Sequence, residues 1–163
     1  ANKYYHTEAS ETPVWKVSFI HGEASFEIES HLKIEQKYQV LNIADFCNEC
    51  GNCTTFCPTK GSPFIDKPRF CLTEKSFDQT ENGFLFQKEG ATSILLHRNG
   101  DKIIRLEKDA VSYRFSDEEI DIRLDLVDYQ IIKAIRLKEV HSEFVLKKAA
   151  EMKVLIDSVH RIY

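Results

Sequence analysis

The chain has 163 residues, 42% hydrophobic and 29% charged, an ordinary globular composition with room for one domain or two small ones. Its net charge of −4 gives no electrostatic footprint for nucleic acid or an anionic membrane. No apolar run approaches the ~18 residues of a membrane span, and the chain begins at Ala1 with no secretory pattern, as in a processed chain or an excised piece.

Residues 1–12 are polar and without periodicity, which predicts a loose arm. In 14–20, Trp15, Val17 and Phe19 alternate with Lys16 and Ser18, the two-residue period of a strand. His21-Gly22-Glu23 reads as a turn into a second alternating run, Ala24, Phe26 and Ile28, so the two predict a hairpin. A third apolar run over 38–43 leads directly into a cluster of cysteines.

Cys47, Cys50, Cys53 and Cys57-Pro58 have the spacing C-x2-C-x2-C-x3-C-P, that of a bacterial ferredoxin motif for a [4Fe–4S] cluster. Thiolates three residues apart on a tight loop can each reach a different iron corner. Gly51, lacking a Cβ, lets the backbone take positive φ and pass close to inorganic sulfide. Phe46 and Phe56 flank the run as shields against water, and Pro58 turns the chain away after the last thiol. In two-cluster ferredoxins the Cys before the Pro ligates the other cluster. On that logic Cys47, Cys50 and Cys53 bind one cluster, and Cys57 serves a second whose own motif is missing. Either Cys57 or the remaining thiol, Cys71, closes a single site here, or the partner motif lies on absent chain.

Other readings of these thiols are weaker. Zinc favours pairs of cysteines separated by a longer loop. Five cysteines is an odd count for a disulfide framework. Cys71 alone reads as a buried small hydrophobe, with fourth ligand as its weaker alternative. Reduced, clustered thiols fit a cytoplasmic setting.

Residues 58–71 hold three of the four prolines and Gly61, which predicts an irregular loop around the cluster. Lys60, Lys67 and Arg69 there are solvated surface, or else offset thiolate charge or dock a redox partner. From residue 83 the pattern is a β-meander: 84–87, 92–97 and 103–106, the last two joined by Asn99-Gly100, a strong hairpin signal. A further strand is expected over 109–115. In 118–127 Ile120, Ile122, Leu124 and Leu126 alternate with Asp121, Arg123 and Asp125, which favours strand over the competing helical spacing; 128–138 stays open. Val145, Ala149, Met152, Ile156 and Val159 form the apolar stripe of a helix over 142–161.

The six histidines (His6, His21, His31, His97, His141 and His160) are scattered, with no metal-binding spacing. There is no G-x-G-x-x-G, P-loop or nucleophile elbow, hence no visible nicotinamide or flavin site. These elements predict an α+β chain: a ferredoxin-like cysteine loop with short strands, then an antiparallel β-meander and a C-terminal helix. The division falls near residue 80. Residues 1–80 form the iron–sulfur segment, half of a two-motif domain, and 81–163 a β-rich region with the helix.

The stretch Ile43-Ala-Asp-Phe-Cys47-Asn-Glu-Cys50-Gly-Asn-Cys53-Thr-Thr-Phe-Cys57-Pro58, followed by Gly61-Ser-Pro-Phe-Ile-Asp-Lys67, goes beyond generic ferredoxin. It resembles the C-terminal iron–sulfur region of the family named "putative selenate reductase large subunit". That family stands with the glutamate synthase small subunit and the dihydropyrimidine dehydrogenase-like oxidoreductases. The resemblance is specific over about residues 41–68. It implies upstream flavin- and NADPH-binding domains and an upstream ferredoxin motif in the same polypeptide. It matches Cys47, Cys50 and Cys53 to ligands of one cluster and Cys57 to a ligand of the other, and gives Cys71 no counterpart.

The expected function is therefore electron transfer through [4Fe–4S] clusters, between a flavin domain and a partner subunit or substrate site, with no bond-making catalysis in this chain. The alternative is a protein-interaction module stapled by zinc or a structural cluster, without a redox role. On the first reading the isolated chain, lacking the second motif, holds its cluster poorly and is open to loss or replacement of the metal.

Overall fold

The computed structural model describes residues 2–36, 38–48, 50 and 67–159. In chain order the strands are β1 (Asn2–His6), β2 (Ser10–Ile20), β3 (Glu23–Ile34), β4 (Tyr38–Ile43) and β5 (Arg69–Cys71), then, after helix α1 (Glu74–Gln79), β6 (Asn82–Glu89) and β7 (Thr92–Asn99). They continue with β8 (Lys102–Lys108), β9 (Ser112–Ser116), β10 (Ile120–Asp125), β11 (Ile131–Arg136) and β12 (Glu143–Val145), and helix α2 (Lys147–Ser158) closes the described chain. Nine strands form one sheet in the order β1-β4-β5-β6-β7-β8-β9-β10-β11, and three form a second in the order β12-β2-β3.

This overturns the expected ferredoxin-like α+β fold. The chain is mostly β, with two α-helices among the described residues. Cys47 and Cys50 lie on the connection between β4 and β5, which are adjacent and parallel, with Asn42 opposite Arg69 and Ile43 opposite Phe70. Parallel neighbours need a crossover rather than a hairpin, and the cysteine-bearing residues belong to that crossover. A second crossover, through α1, sets β6 parallel to β5. The division expected near residue 80 falls inside the nine-stranded sheet, where Phe70 and Cys71 of β5 pair with Phe84 and Leu85 of β6.

The two parallel junctions are covered on both faces, as parallel strands usually are. Leu41, Ile43, Phe70 and Phe84 join the main core. Cys71, Phe77 and Leu85 form a satellite cluster, with Ala44 and Leu96 against it. Gly83 permits the close approach of β6 to β5: a Cβ there would stand 3.2 Å from the Arg69 carbonyl oxygen and 3.1 Å from Thr80 Cγ2.

The predicted hairpin is β2–β3, longer at both ends than the alternation suggested. His21 and Gly22 both have positive φ, 51° and 79°, as a two-residue type I′ turn requires. Trp15, Val17 and Phe19 are buried. The loose arm expected over 1–12 is instead ordered strand. β1 pairs along β4 from Asn2 opposite Asn42 to His6 opposite Tyr38, Tyr5 is buried, and Thr7 donates its hydroxyl to the Gln36 carbonyl at 2.8 Å. Polar residues hid this strand because backbone pairing carries it.

The meander appears as β6 to β10, with Ile120, Ile122 and Leu124 buried on one side of β10. Within the segment left open, residues 131–136 form β11. The C-terminal helix is shorter than its apolar stripe. Val145 belongs instead to β12, which pairs with β2, and is 48% exposed. Helix α2 packs against β2 and β3 of the small sheet and β7 and β8 of the large one. Contact on two sides explains why Ala150 and Leu155 are buried alongside Ala149, Met152 and Ile156.

Candidate functional site

At the end of β4 the chain turns through one 3-10 turn, Ala44–Phe46. The Cys47 N–H closes this turn on the Ala44 carbonyl at 3.1 Å. Cys47 leaves it in extended conformation, φ −107° and ψ 119°. Three residues on, the Cys50 N–H donates to Asn48 Oδ1 at 3.3 Å. Both thiols are free, Cys47 half-buried and Cys50 exposed. Cys53, Cys57, Gly51, Phe56, Pro58, Lys60 and Gly61 lie outside the described residues. Phe46, expected to shield the site, is 69% exposed on the turn.

The base of this connection is tied on both sides. The Asn42 N–H donates to the Pro68 carbonyl at 2.8 Å. The Leu72 N–H donates to Asp45 Oδ2, also at 2.8 Å. Lys67 and Arg69, singled out from the sequence, are half-buried here. A cleft of about 1240 Å³ opens beside them, with Asp45, His97, Lys148 and Glu151 also in its walls. Its charges are of both signs, and Lys148 already pairs with Glu151 at 2.7 Å.

Cys71 is placed differently from the other described thiols. It is fully buried on β5, in the satellite cluster with Phe77 and Leu85. Burial pushes its thiol pKa up, and the Asp45 carboxylate adds to the effect; a hydrogen bond from Ser76 and the charges of Arg69 and Arg98 oppose it. A thiol held neutral by apolar surroundings is a poor ligand and a poor nucleophile.

Among the described residues no group of three or more His, Cys, Asp or Glu side chains is placed to hold a metal ion. The described histidines are apart from the cysteines in their bonding. His31 lies 3.8 Å from Glu11 and His141 2.7 Å from Glu119. His97 is buried, stacked 4.4 Å from Phe84 and 3.1 Å from Asn82 Oδ1 through Nε2. His160 and the side chain of His6 lie outside the described residues. Sequence reasoning missed Asp45, whose carboxylate joins the two ends of the crossover. Its position two residues before Cys47 gave no sign of a partner at Leu72.

Among the described residues, the donors of a kind that suits iron–sulfur ligation are the thiols of Cys47 and Cys50. Both are free thiols outside the core, on the segment that leaves the hydrogen-bonded Ala44–Phe46 turn. No helix among the described residues is long and apolar enough to cross a membrane.

No family model matches the chain, and no solved structure matches it. A stretch of 54 residues is 41% identical to the protein named "Putative oxidoreductase YgfK" in Escherichia coli strain K12. The same identity over the same length holds for the protein of that name in Escherichia coli O157:H7. The match covers 32% of this chain and 5% of each relative, so the chain spans about a twentieth of their length.

Proposed function

We propose that this chain is an electron-transfer part of a larger oxidoreductase, with Cys47, Cys50, Cys53 and Cys57 as thiolate ligands for [4Fe–4S] chemistry. One observation carries the reading: the C-x2-C-x2-C-x3-C-P run, whose first two thiols are free on an anchored loop. The likeness to a protein named as an oxidoreductase supports it. When bound, such a cluster takes up and gives back one electron at a time. The chain's own part is to hold the first two sulfurs on a fixed base and to keep Cys71 neutral and out of the way. The selenate reductase-like resemblance implies flavin and NADPH chemistry on other domains of the same polypeptide, and this sequence has no nucleotide-binding loop of its own. On this reading those domains and a second ferredoxin motif are the partners, and the setting is cytoplasmic.

The test is anaerobic reconstitution with ferrous iron and sulfide, followed by iron, zinc and sulfide analysis. Broad absorption near ~400 nm, bleached by a one-electron reductant, with roughly four irons per site is the expected result. A colourless chain holding one zinc would instead establish the metal-stapled interaction module.

A further inference from the structure

Asp45 and Leu72 stand 27 residues apart, on either side of the connection that carries the cysteines. The last paired residues of β4 and β5 are Ile43 and Phe70. Beyond them β4 bends into the Ala44–Phe46 turn and stops running beside β5. The Leu72 amide would then have no strand acceptor on that side. Asp45 Oδ2 supplies one at 2.8 Å, so a side chain continues the ladder where the backbone leaves it. The turn fixed in this way is the one whose last hydrogen bond, Cys47 N–H to Ala44 O, sets the start of the cysteine run. A hydrogen bond from an amide to a carboxylate is among the stronger ones a chain can make.

The geometry points to Asp45 as a positioning residue that clamps the two ends of the crossover together and so holds Cys47 in place for ligation. This rests on the iron–sulfur reading above. Asp45 itself touches no ligand: it acts through the Ala44–Phe46 turn. Asparagine keeps an acceptor oxygen at this position and is the conservative variant; alanine removes it and is the disruptive one.

Two measurements on the full chain test it. The first needs no metal: amide hydrogen exchange at Leu72, with the β7 amides as an internal control for folding. Asp45→Ala is expected to lose Leu72 protection while β7 stays protected, and Asp45→Asn to keep most of it. The second is the rate at which the reconstituted chain loses iron to a chelator under anaerobic conditions. Asp45→Ala should lose iron roughly tenfold faster than the wild type, as follows from removing one charge-assisted hydrogen bond, and Asp45→Asn should stay within about twofold. Equal iron loss in all three proteins, or failure of asparagine to rescue, overturns the positioning role and leaves the iron–sulfur reading standing. A wild-type chain that takes up no iron overturns both, and the Leu72 exchange data then describe only a structural clamp.

Discussion

Trp15 on β2 donates its indole N–H to the backbone carbonyl of Tyr129, 2.9 Å away and 114 residues further along the chain. Tyr129 sits in the turn between β10 and β11 with φ 57°, a conformation unusual for a bulky side chain. Both residues are buried. The bond ties the small sheet to the β10–β11 end of the large one, and it gives the carbonyl of buried Tyr129 a donor. Trp15→Phe keeps a ring in the core but removes the donor. It should lower stability by about 1–3 kcal/mol, the cost of a buried polar group left unpaired. The urea midpoint should fall with an unchanged m-value; an unaltered midpoint would mean that the bond adds nothing.

Asp157 of α2 accepts from Lys108 Nζ at 2.6 Å, Tyr113 OH at 2.7 Å and Lys153 Nζ at 2.9 Å. Burial alone would raise its pKa, but the Lys108 hydrogen bond, the Lys153 charge and the Tyr113 hydroxyl outweigh it and hold the carboxyl below its usual range. A depressed folded pKa means stability that is present above the unfolded value, about 3.9, and lost as pH falls through the folded one. Asp157→Asn should cost about 1.5–3 kcal/mol at pH 7. Below about pH 4 the difference from wild type should shrink as the wild-type carboxyl takes up its own proton. Denaturant titrations at pH 7 and pH 3 read both values.

His97 has the opposite dependence on its charged form. Burial, and secondarily the Lys148 charge, push its pKa down from 6.5 to about 4. The unfolded chain therefore binds the proton first on acidification, and stability rises with pH across that window. The contribution is complete above 6.5 and falls away between 6.5 and 4, by on the order of 2–3 kcal/mol in total. His97→Phe keeps the stack on Phe84 and gives up the bond to Asn82. Its deficit relative to wild type should narrow or reverse between pH 7 and pH 4.5. A constant deficit at both pH values would show that His97 titrates normally.

Cys71 and Cys47 should respond differently to substitution. Cys71 is fully buried beside Phe77 and Leu85, so Cys71→Ala should leave iron content unchanged and cost roughly 1 kcal/mol through lost packing. Cys47→Ser should sharply lower iron retention after anaerobic reconstitution, with little effect on thermal stability of the metal-free chain. Loss of iron in the Cys71 variant would make this thiol the closing ligand.

Where a single strand faces water on one side, its pattern could be read directly. The period-two runs of β2 and β10 and the Asn99-Gly100 turn are written in neighbouring residues. β1, α1 and β5 were not legible in this way. β1 is held by backbone pairing to β4 and shows little apolar alternation. α1 is six residues long, and its start depends on a Thr73–Ser76 capping box, with Ser76 in place of the usual Glu or Gln. β5 has only three residues and exists because β4 and β6 lie on either side of it.

The amino-acid order alone sets the thiol spacing, which is a property of covalent neighbours and needs no fold to be read. It did not settle the architecture around those thiols. Whether they form a small domain or hang from a crossover depends on which distant strands pair in parallel, and parallel pairing leaves no local turn in the sequence. The bonds of Asp45 to Leu72 and of Trp15 to Tyr129 are decided in the same way, by packing that brings remote parts of the chain together.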